Sequence, residues 1–283
     1  MLVAVVFGAN HIAARFAFDH GASVALAVVV RSAFTALVLL ALLRGQPGTW
    51  RLTPGERRYL LLAGGLMALQ SYCLYTAVAR IPVALALLAF NTYPMLYVLL
   101  GWALGGARPE ARALLAMPVA LAGLALALDV VGSVSHVAGR WSEIGAGVGW
   151  ALAGAVSFAF ILVLNAGGLR RLDGRVRTLG MTAVSGVLVL GAGAGADALT
   201  LPGAAPGWIG LAALSVLYGA AITSLFVLLP RIGSASSTVA LNFEPIAALV
   251  LAWILLDQHV KPIQLAGAFV VVAAIAWLSA RKP

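Results

Sequence analysis

Long apolar segments alternate along the whole chain with short stretches rich in glycine, proline and charged residues. Each apolar segment has about twenty residues, enough to cross a hydrocarbon core of about 30 Å as an α-helix. The apolar residues are continuous rather than placed at every second position, which argues against membrane-spanning β-strands. The pattern predicts ten transmembrane helices, near residues 1–19, 23–43, 59–79, 82–104, 113–131, 146–166, 179–196, 208–229, 235–256 and 263–280.

The composition supports the same class of protein. Hydrophobic residues make up 63% of the 283 positions and charged residues only 10%, whereas a soluble domain has about 25% charged residues. The chain enters its first apolar run with no basic residue before it, so residues 1–19 are interpreted as a membrane span rather than a signal peptide. The fold class predicted is an all-α membrane protein.

The distribution of cationic residues predicts the orientation of the spans. With both termini on one side, that side receives Arg44, Arg51, Arg57, Arg58, Arg108, Arg112, Arg170, Arg171, Arg175, Arg177, Arg231, Arg281 and Lys282. The other side receives only Arg80, Arg140 and Lys261, while Arg15 and Arg31 fall inside spans. Because positive charge collects in cytoplasmic loops, both termini are predicted to be cytoplasmic. The net charge of +9 is thereby explained without a nucleic-acid partner.

Two parts of the chain match each other at an offset of 151 residues. Residues 80–102 and 231–253 share eight of 23 positions without a gap, where about two would arise by chance, which indicates internal duplication. The identities include Arg80 with Arg231, Asn91 with Asn242, Pro94 with Pro245 and Trp102 with Trp253.

The offset spans five predicted helices, so the second copy enters the membrane from the opposite face. Inverted repeats of this kind are typical of secondary transporters, whose substrate sites lie near the midplane between the repeats. The domains predicted are a first five-helix repeat at 1–131, a periplasmic connection at 132–145 and a second five-helix repeat at 146–283.

Ten short-looped spans in two five-span repeats, with a proline in the fourth span of each, resemble the EamA branch of the drug/metabolite transporter superfamily. Further similarity lies in FGANHIAARF at 7–16, VVVRSAF at 28–34, SYCLYTAVARIPVALA at 71–86 and LLDQHVKPIQLAGAFVVVAAIAW at 255–277. The first repeat departs from the pattern, since Gly106 stands where the second repeat has Asp257. The resemblance implies a bacterial inner-membrane exporter of amino acids or related metabolites, with a narrower similarity to the aromatic amino-acid exporters.

An ionisable residue and a proline occupy the middle of the ninth predicted span, where Glu244 and Pro245 follow Asn242. A charge at the centre of a span costs about 2.5–3.5 kcal/mol on insertion scales, so Glu244 should face the bundle interior or a cavity. Pro245, like Pro94 in the first repeat, is predicted to break its helix. These residues either bind a substrate ammonium group or carry a coupling proton, or a protonated Glu244 holds a kinked helix to its neighbour.

Other polar and aromatic residues within spans are candidates for the same cavity. Tyrosine and phenylalanine rings could form a slot for an apolar side chain, although membrane aromatics are more often packing residues or interface anchors. His11 could relay protons or be satisfied by a backbone carbonyl. Arg31 needs an acceptor, either helix-end carbonyls or Glu244, and a structural role is favoured for it. The cavity residues predicted are Asn10, His11, Tyr72, Tyr75, Asn91, Tyr93, Tyr97, Phe158, Tyr218, Asn242 and Glu244.

These features predict a secondary transporter that exports aromatic or other neutral amino acids by alternating access. The transporter is predicted to function as a monomer, and proton coupling is one way in which it could be driven. No catalytic motif, metal-ligand spacing or Walker loop is present in the sequence, so an enzyme, a cofactor and a metal are not expected. The alternatives are a carrier for another small metabolite or drug, such as a nucleotide sugar or a cationic drug, and a structural membrane protein.

Overall fold

The computed structural model describes residues 2–44, 52–81, 83–106, 108–127, 141–232 and 261–279. Throughout these ranges the regular structure is helical, as the sequence predicts. The helices are α1 (Leu2–Asp19), α2 (Val24–Leu43), α3 (Pro54–Arg80), α4 (Val83–Phe90), α5 (Tyr93–Ala103), α6 (Ala111–Ala127), α7 (Trp141–Ala166), α8 (Gly174–Gly195), α9 (Ala205–Ile232) and α10 (Pro262–Ser279).

Seven helical segments in the described part of the chain are long and apolar enough to cross a membrane. The two short helices α4 and α5 form one of these segments, and α6 and α10 each contain a shorter apolar stretch. The ninth predicted span, at 235–256, lies outside the described residues. The count of ten spans and the inverted repeat therefore stay predictions.

Local chemistry sets where several helices begin. The Thr53 side chain accepts a hydrogen bond from the backbone N–H of Glu56, and the Glu56 carboxylate accepts one from the N–H of Thr53. This reciprocal cap satisfies two donors that the first turn of α3 cannot pair internally. Ser23 caps α2 by accepting from the N–H of Leu26 at 3.2 Å. Both caps lie in short polar connections next to apolar helices.

The fourth predicted span is divided where the sequence places Pro94. Helix α4 ends at Phe90, and α5 begins at Tyr93 with Pro94 in its first turn. A proline fits the first turn of a helix because the N–H that it lacks has no partner there. The Asn91 amide nitrogen donates to the carbonyl of Leu87 at 2.8 Å. Residues Asn91 and Thr92 therefore form a short break within an otherwise apolar segment.

Among the described helices, the most extensive packing joins the first half of the chain to the second half. Helix α3 packs on α7, α1 on α9, α2 on α8 and α6 on α10. Some of these contacts need glycine: a Cβ on Gly210 of α9 would lie 2.9 Å from the backbone nitrogen of Ala17 in α1. Small residues at such crossings are typical of membrane helices. Many large apolar side chains remain on the outer surface, such as Phe269 at 75% exposure and Val187 at 69%, which suits a lipid-facing surface.

Candidate functional site

A cavity lies inside the bundle, between helices from both halves of the chain. It has about 530 Å³ of space between its lining side chains, including the part open to solvent. Helices α1, α2 and α3 supply most of the lining, and α4, α5, α7 and α9 supply the rest. The lining residues are Phe7, Asn10, His11, Arg31, Met67, Gln70, Ser71, Leu74, Tyr75, Phe90, Tyr93, Phe158, Tyr218 and Ile222.

The Tyr75 hydroxyl connects three helices on one side of this cavity. It accepts a hydrogen bond from Nη1 of Arg31 at 2.9 Å. The Asn10 amide lies against the same oxygen, with Nδ2 at 3.2 Å and Oδ1 at 3.3 Å. Tyr75 and Asn10 are each 1% exposed. Because buried polar groups are costly unless they are paired, this cluster should fix the relative positions of α1, α2 and α3.

Arg31 is held between two tyrosine rings from different halves of the chain. Its guanidinium carbon lies 3.7 Å from the ring centroid of Tyr218 in α9 and 4.5 Å from that of Tyr75 in α3. A guanidinium over an aromatic face is attracted by the negative face of the ring. The arginine is only 3% exposed, so this cation is buried in the middle of the bundle.

Three aromatic rings form another part of the wall. The rings of Tyr93 and Phe158 meet edge to face with centroids 4.8 Å apart, and Phe90 lies 5.3 Å from Tyr93 and 5.6 Å from Phe158. These distances are typical of favourable aromatic pairs. The cavity therefore combines a cationic and amide region with an aromatic surface.

The structure brings together six of the predicted cavity residues: Asn10, His11, Tyr75, Tyr93, Phe158 and Tyr218. His11 is buried, and its ring lies edge-on to that of Tyr75 with centroids 6.3 Å apart. These six residues come from α1, α3, α5, α7 and α9.

Three other predicted cavity residues, and the predicted helix-breaking Pro94, lie elsewhere. Tyr72 is 39% exposed and contacts Trp150 edge to face at 6.2 Å. Tyr97 is half-buried and packs beside the core. Asn91 and Pro94 line a second, apolar space between α5, α6 and α10. Asn242, Glu244 and Pro245 lie outside the described residues.

Sequence reasoning did not place Arg31 in the cavity. A charge in the middle of a span was the signal that could have placed Arg31 there. In the described part of the chain, the hydrogen-bond acceptor of Arg31 is the Tyr75 hydroxyl rather than a helix-end carbonyl. Gln70 and Ser71, next to the predicted tyrosines, also line the cavity. The apolar lining residues Phe7, Met67, Leu74, Phe90 and Ile222 carried no signal that distinguishes them from ordinary core residues.

The described side chains give no indication of a metal site. Within the described ranges, no three histidine, cysteine, aspartate or glutamate residues come together in a group that could hold an ion.

Membrane-length helices around a polar and aromatic cavity are typical of multi-pass membrane proteins that bind small molecules. The EamA-like transporter family matches residues 1–128 and 145–280 of this chain. The chain therefore belongs to the EamA-like transporter family, within the drug/metabolite transporter superfamily. Family membership makes it a multi-pass membrane protein of a transporter family.

Structural comparison supports the fold. A solved crystal structure aligns with a TM-score of 0.79 and 17% sequence identity, over 98% of this chain and 95% of the other. At this level of identity the match shows the fold alone. A comparison with curated protein sequences finds no match. The comparisons show the family and not the narrower similarity to aromatic amino-acid exporters.

Proposed function

We propose that this protein is a secondary transporter of the bacterial inner membrane that exports neutral amino acids, aromatic ones among them, by alternating access. The observation that carries the proposal is the cavity, which lies between helices of both halves and presents a guanidinium, an amide and aromatic rings. An amino acid has a charged end and a side chain that is often apolar. A cavity with a polar region and an aromatic surface suits both.

The proposed mechanism rests on two inverted five-helix repeats, at 1–131 and 146–283, joined by the connection at 132–145. The helix pairing supports it, since an inverted repeat that makes α3 pack on α7 should also make α9 pack on α1, and both pairs are present. The Tyr218 hydroxyl lies 3.7 Å from Sδ of Met67, its equivalent at the offset of 151. Contact between repeat-equivalent residues is expected near the two-fold axis that would relate inverted repeats. Rocking of such repeats about a central site is a common transporter mechanism.

Glu244 and Asn242 are proposed to contribute to the cavity from the ninth predicted span, with Pro245 breaking the helix beside them. For Glu244 the support comes from its repeat equivalent Tyr93, which lines the cavity. The equivalent of Asn242 is Asn91, which lines the second, apolar space beside it. Because the sequence has no Walker loop, transport is proposed to use a substrate or proton gradient. We further propose that the monomer is the functional unit and that both termini are cytoplasmic, as the cation distribution indicates.

Counterflow in proteoliposomes tests the proposal. Vesicles loaded with an unlabelled neutral amino acid should accumulate the radiolabelled form transiently, and protein-free vesicles should not. Repeating the assay with an imposed pH gradient tests proton coupling, which predicts a change in accumulation. Movement of nucleotide sugars or cationic drugs with no movement of any amino acid would refute the proposed substrate and favour the other carrier function.

A further inference from the structure

The charge of Arg31 is not matched by an acidic side chain in the described part of the chain. Its hydrogen bond goes to the neutral Tyr75 hydroxyl, and its other contacts are the faces of two aromatic rings. Its Nε is buried and has no hydrogen-bond acceptor among the described residues. A guanidinium that is 3% exposed thus keeps donors available in a cavity.

Burying a cation is expensive unless it is paired and hydrogen-bonded. The tyrosine rings offset part of this cost, but they accept none of the in-plane N–H groups. The planar fork of N–H donors in arginine matches the two oxygens of a carboxylate, which it can bind through two parallel hydrogen bonds. A buried guanidinium of this kind suits an anionic group of a bound ligand.

We propose that Arg31 binds the carboxylate of the transported substrate and that the aromatic wall of Phe90, Tyr93 and Phe158 receives its apolar side chain. This assignment rests on the proposed function only in taking an amino acid as the substrate. It defines the ligand class as a carboxylate with an apolar or aromatic substituent. A ligand that is only cationic meets a like charge in this cavity.

Glu244 is the alternative partner for Arg31. If the Glu244 carboxylate neutralised the guanidinium, the cavity would have no need of a ligand carboxylate. The two arrangements differ in a measurable property, which is the preference of the cavity for an acid over the amine of the same shape.

The test uses the purified full-length chain in detergent and three ligands with the same ring: L-phenylalanine, 3-phenylpropanoate and 2-phenylethylamine. The ligand-dependent increase in melting temperature gives a dissociation constant for each. L-Phenylalanine and 3-phenylpropanoate should bind, and the amine should bind roughly tenfold to a hundredfold more weakly, as expected for loss of a charge-assisted hydrogen bond. The same comparison with leucine, 4-methylpentanoate and 3-methylbutylamine tests the preference for the acid with ligands that have no aromatic ring.

Two variants of Arg31 separate binding from folding. Arg31→Gln should remove the preference for the acids over the amine, and Arg31→Lys should keep part of it, since lysine retains the charge without the fork. A purely structural role for Arg31 would weaken the binding of all ligands together. The control is Arg15→Gln, because Arg15 pairs with Asp19 at 3.0 Å and lies outside the cavity. It should keep the wild-type preference.

Three results would overturn the assignment: wild-type protein that binds the amine as tightly as the acid, no binding of either set of acids, or an unchanged preference in Arg31→Gln. If Arg31→Gln does not fold, Arg31→Lys provides the test. An Arg31→Lys variant that prefers the acids over the amine as strongly as the wild-type protein would also count against the assignment. Acid binding that depends on Arg31, combined with no counterflow of any amino acid, would refute the proposed transport function and leave the carboxylate site intact.

Discussion

The Tyr75 hydroxyl should contribute more to stability than any exposed tyrosine hydroxyl of this protein. Tyr75→Phe removes one oxygen and leaves the ring in place. In the structure that oxygen accepts from Arg31 at 2.9 Å and lies 3.2 Å from the Asn10 amide nitrogen. The substitution therefore deprives two buried groups of a partner at once.

The expected loss follows from the number and kind of these bonds. Hydrogen bonds between membrane helices contribute about 0.6 kcal/mol on average and at most about 1.7 kcal/mol. The bond to Asn10 is neutral, and the bond from Arg31 is charge-assisted, so the first should lie near the average and the second near the maximum. Together they predict that Tyr75→Phe lowers the free energy of unfolding by about 2 kcal/mol.

Reversible unfolding in mixed detergent micelles measures this loss. The matched control is Tyr72→Phe, because the Tyr72 side chain is 39% exposed and its described contact is through the ring, with Trp150. The control should change the free energy of unfolding by less than about 0.5 kcal/mol. If both variants lose the same amount, the Tyr75 hydroxyl does not link α1, α2 and α3.

Three further predictions concern helix packing, a helix cap and the ninth span. Gly210→Ala should destabilise the protein by about 1–3 kcal/mol, because its Cβ would meet the backbone of Ala17, which requires a main-chain shift. Gly149→Ala, with no atom within 4 Å of the new Cβ, should not destabilise it in the same unfolding assay. Asp173→Ala should cost about 0.5–2 kcal/mol at neutral pH, and Asp173→Asn much less, since Asp173 caps α8. Partial burial opposes ionisation of Asp173, yet the N–H and guanidinium of Arg175 hold the pKa of its carboxyl below the ordinary value. The wild-type advantage over Asp173→Ala should therefore shrink as pH falls through that lowered pKa. Glu244→Gln should abolish counterflow if Glu244 binds the ammonium group or the coupling proton. Unchanged transport with a lower melting temperature would instead show a structural role.

The apolar pattern was sufficient to predict where most helices lie. A run of about twenty apolar residues has few alternatives to a spanning helix in a membrane, because the backbone must satisfy its own hydrogen bonds there. The break near Pro94 was also predictable, since a proline inside a helix removes a donor and crowds the preceding turn. In the structure the chain leaves helical geometry between Phe90 and Tyr93.

The inner face of each helix was harder to predict. Tyr72 and Tyr75 are three residues apart in α3, yet Tyr75 is 1% exposed and Tyr72 39%. A soluble helix reveals its buried face through alternating polar and apolar residues. A helix surrounded by lipid on one side and protein on the other is apolar on both, so the sequence does not distinguish the two faces. Tyr75 lies inside because it meets Asn10 of α1 and Arg31 of α2, whereas the ring of Tyr72 contacts Trp150 of α7.

Arg31 shows a second limit of the sequence. Its position in the middle of α2 requires a partner, but the partners that the structure provides are Tyr75 and Tyr218, on two other helices. Neither ring is marked in the sequence as different from the other tyrosines. Only the packing of α2 against α3 and α9 brings the three side chains together.

The position of Arg31 links the proposed carboxylate site to the proposed rocking of the two halves of the chain. A ligand can shift a conformational equilibrium only if it binds the two states with different affinity. Arg31 is hydrogen-bonded to a residue of the first half, Tyr75, and stacked on a residue of the second half, Tyr218. Rocking of one half against the other changes the distance between these two tyrosines, and the guanidinium between them must then lose a contact or reorient. Because the donors that would bind a carboxylate belong to the same guanidinium, carboxylate affinity should differ between the two states, and a bound carboxylate should shift the equilibrium between them.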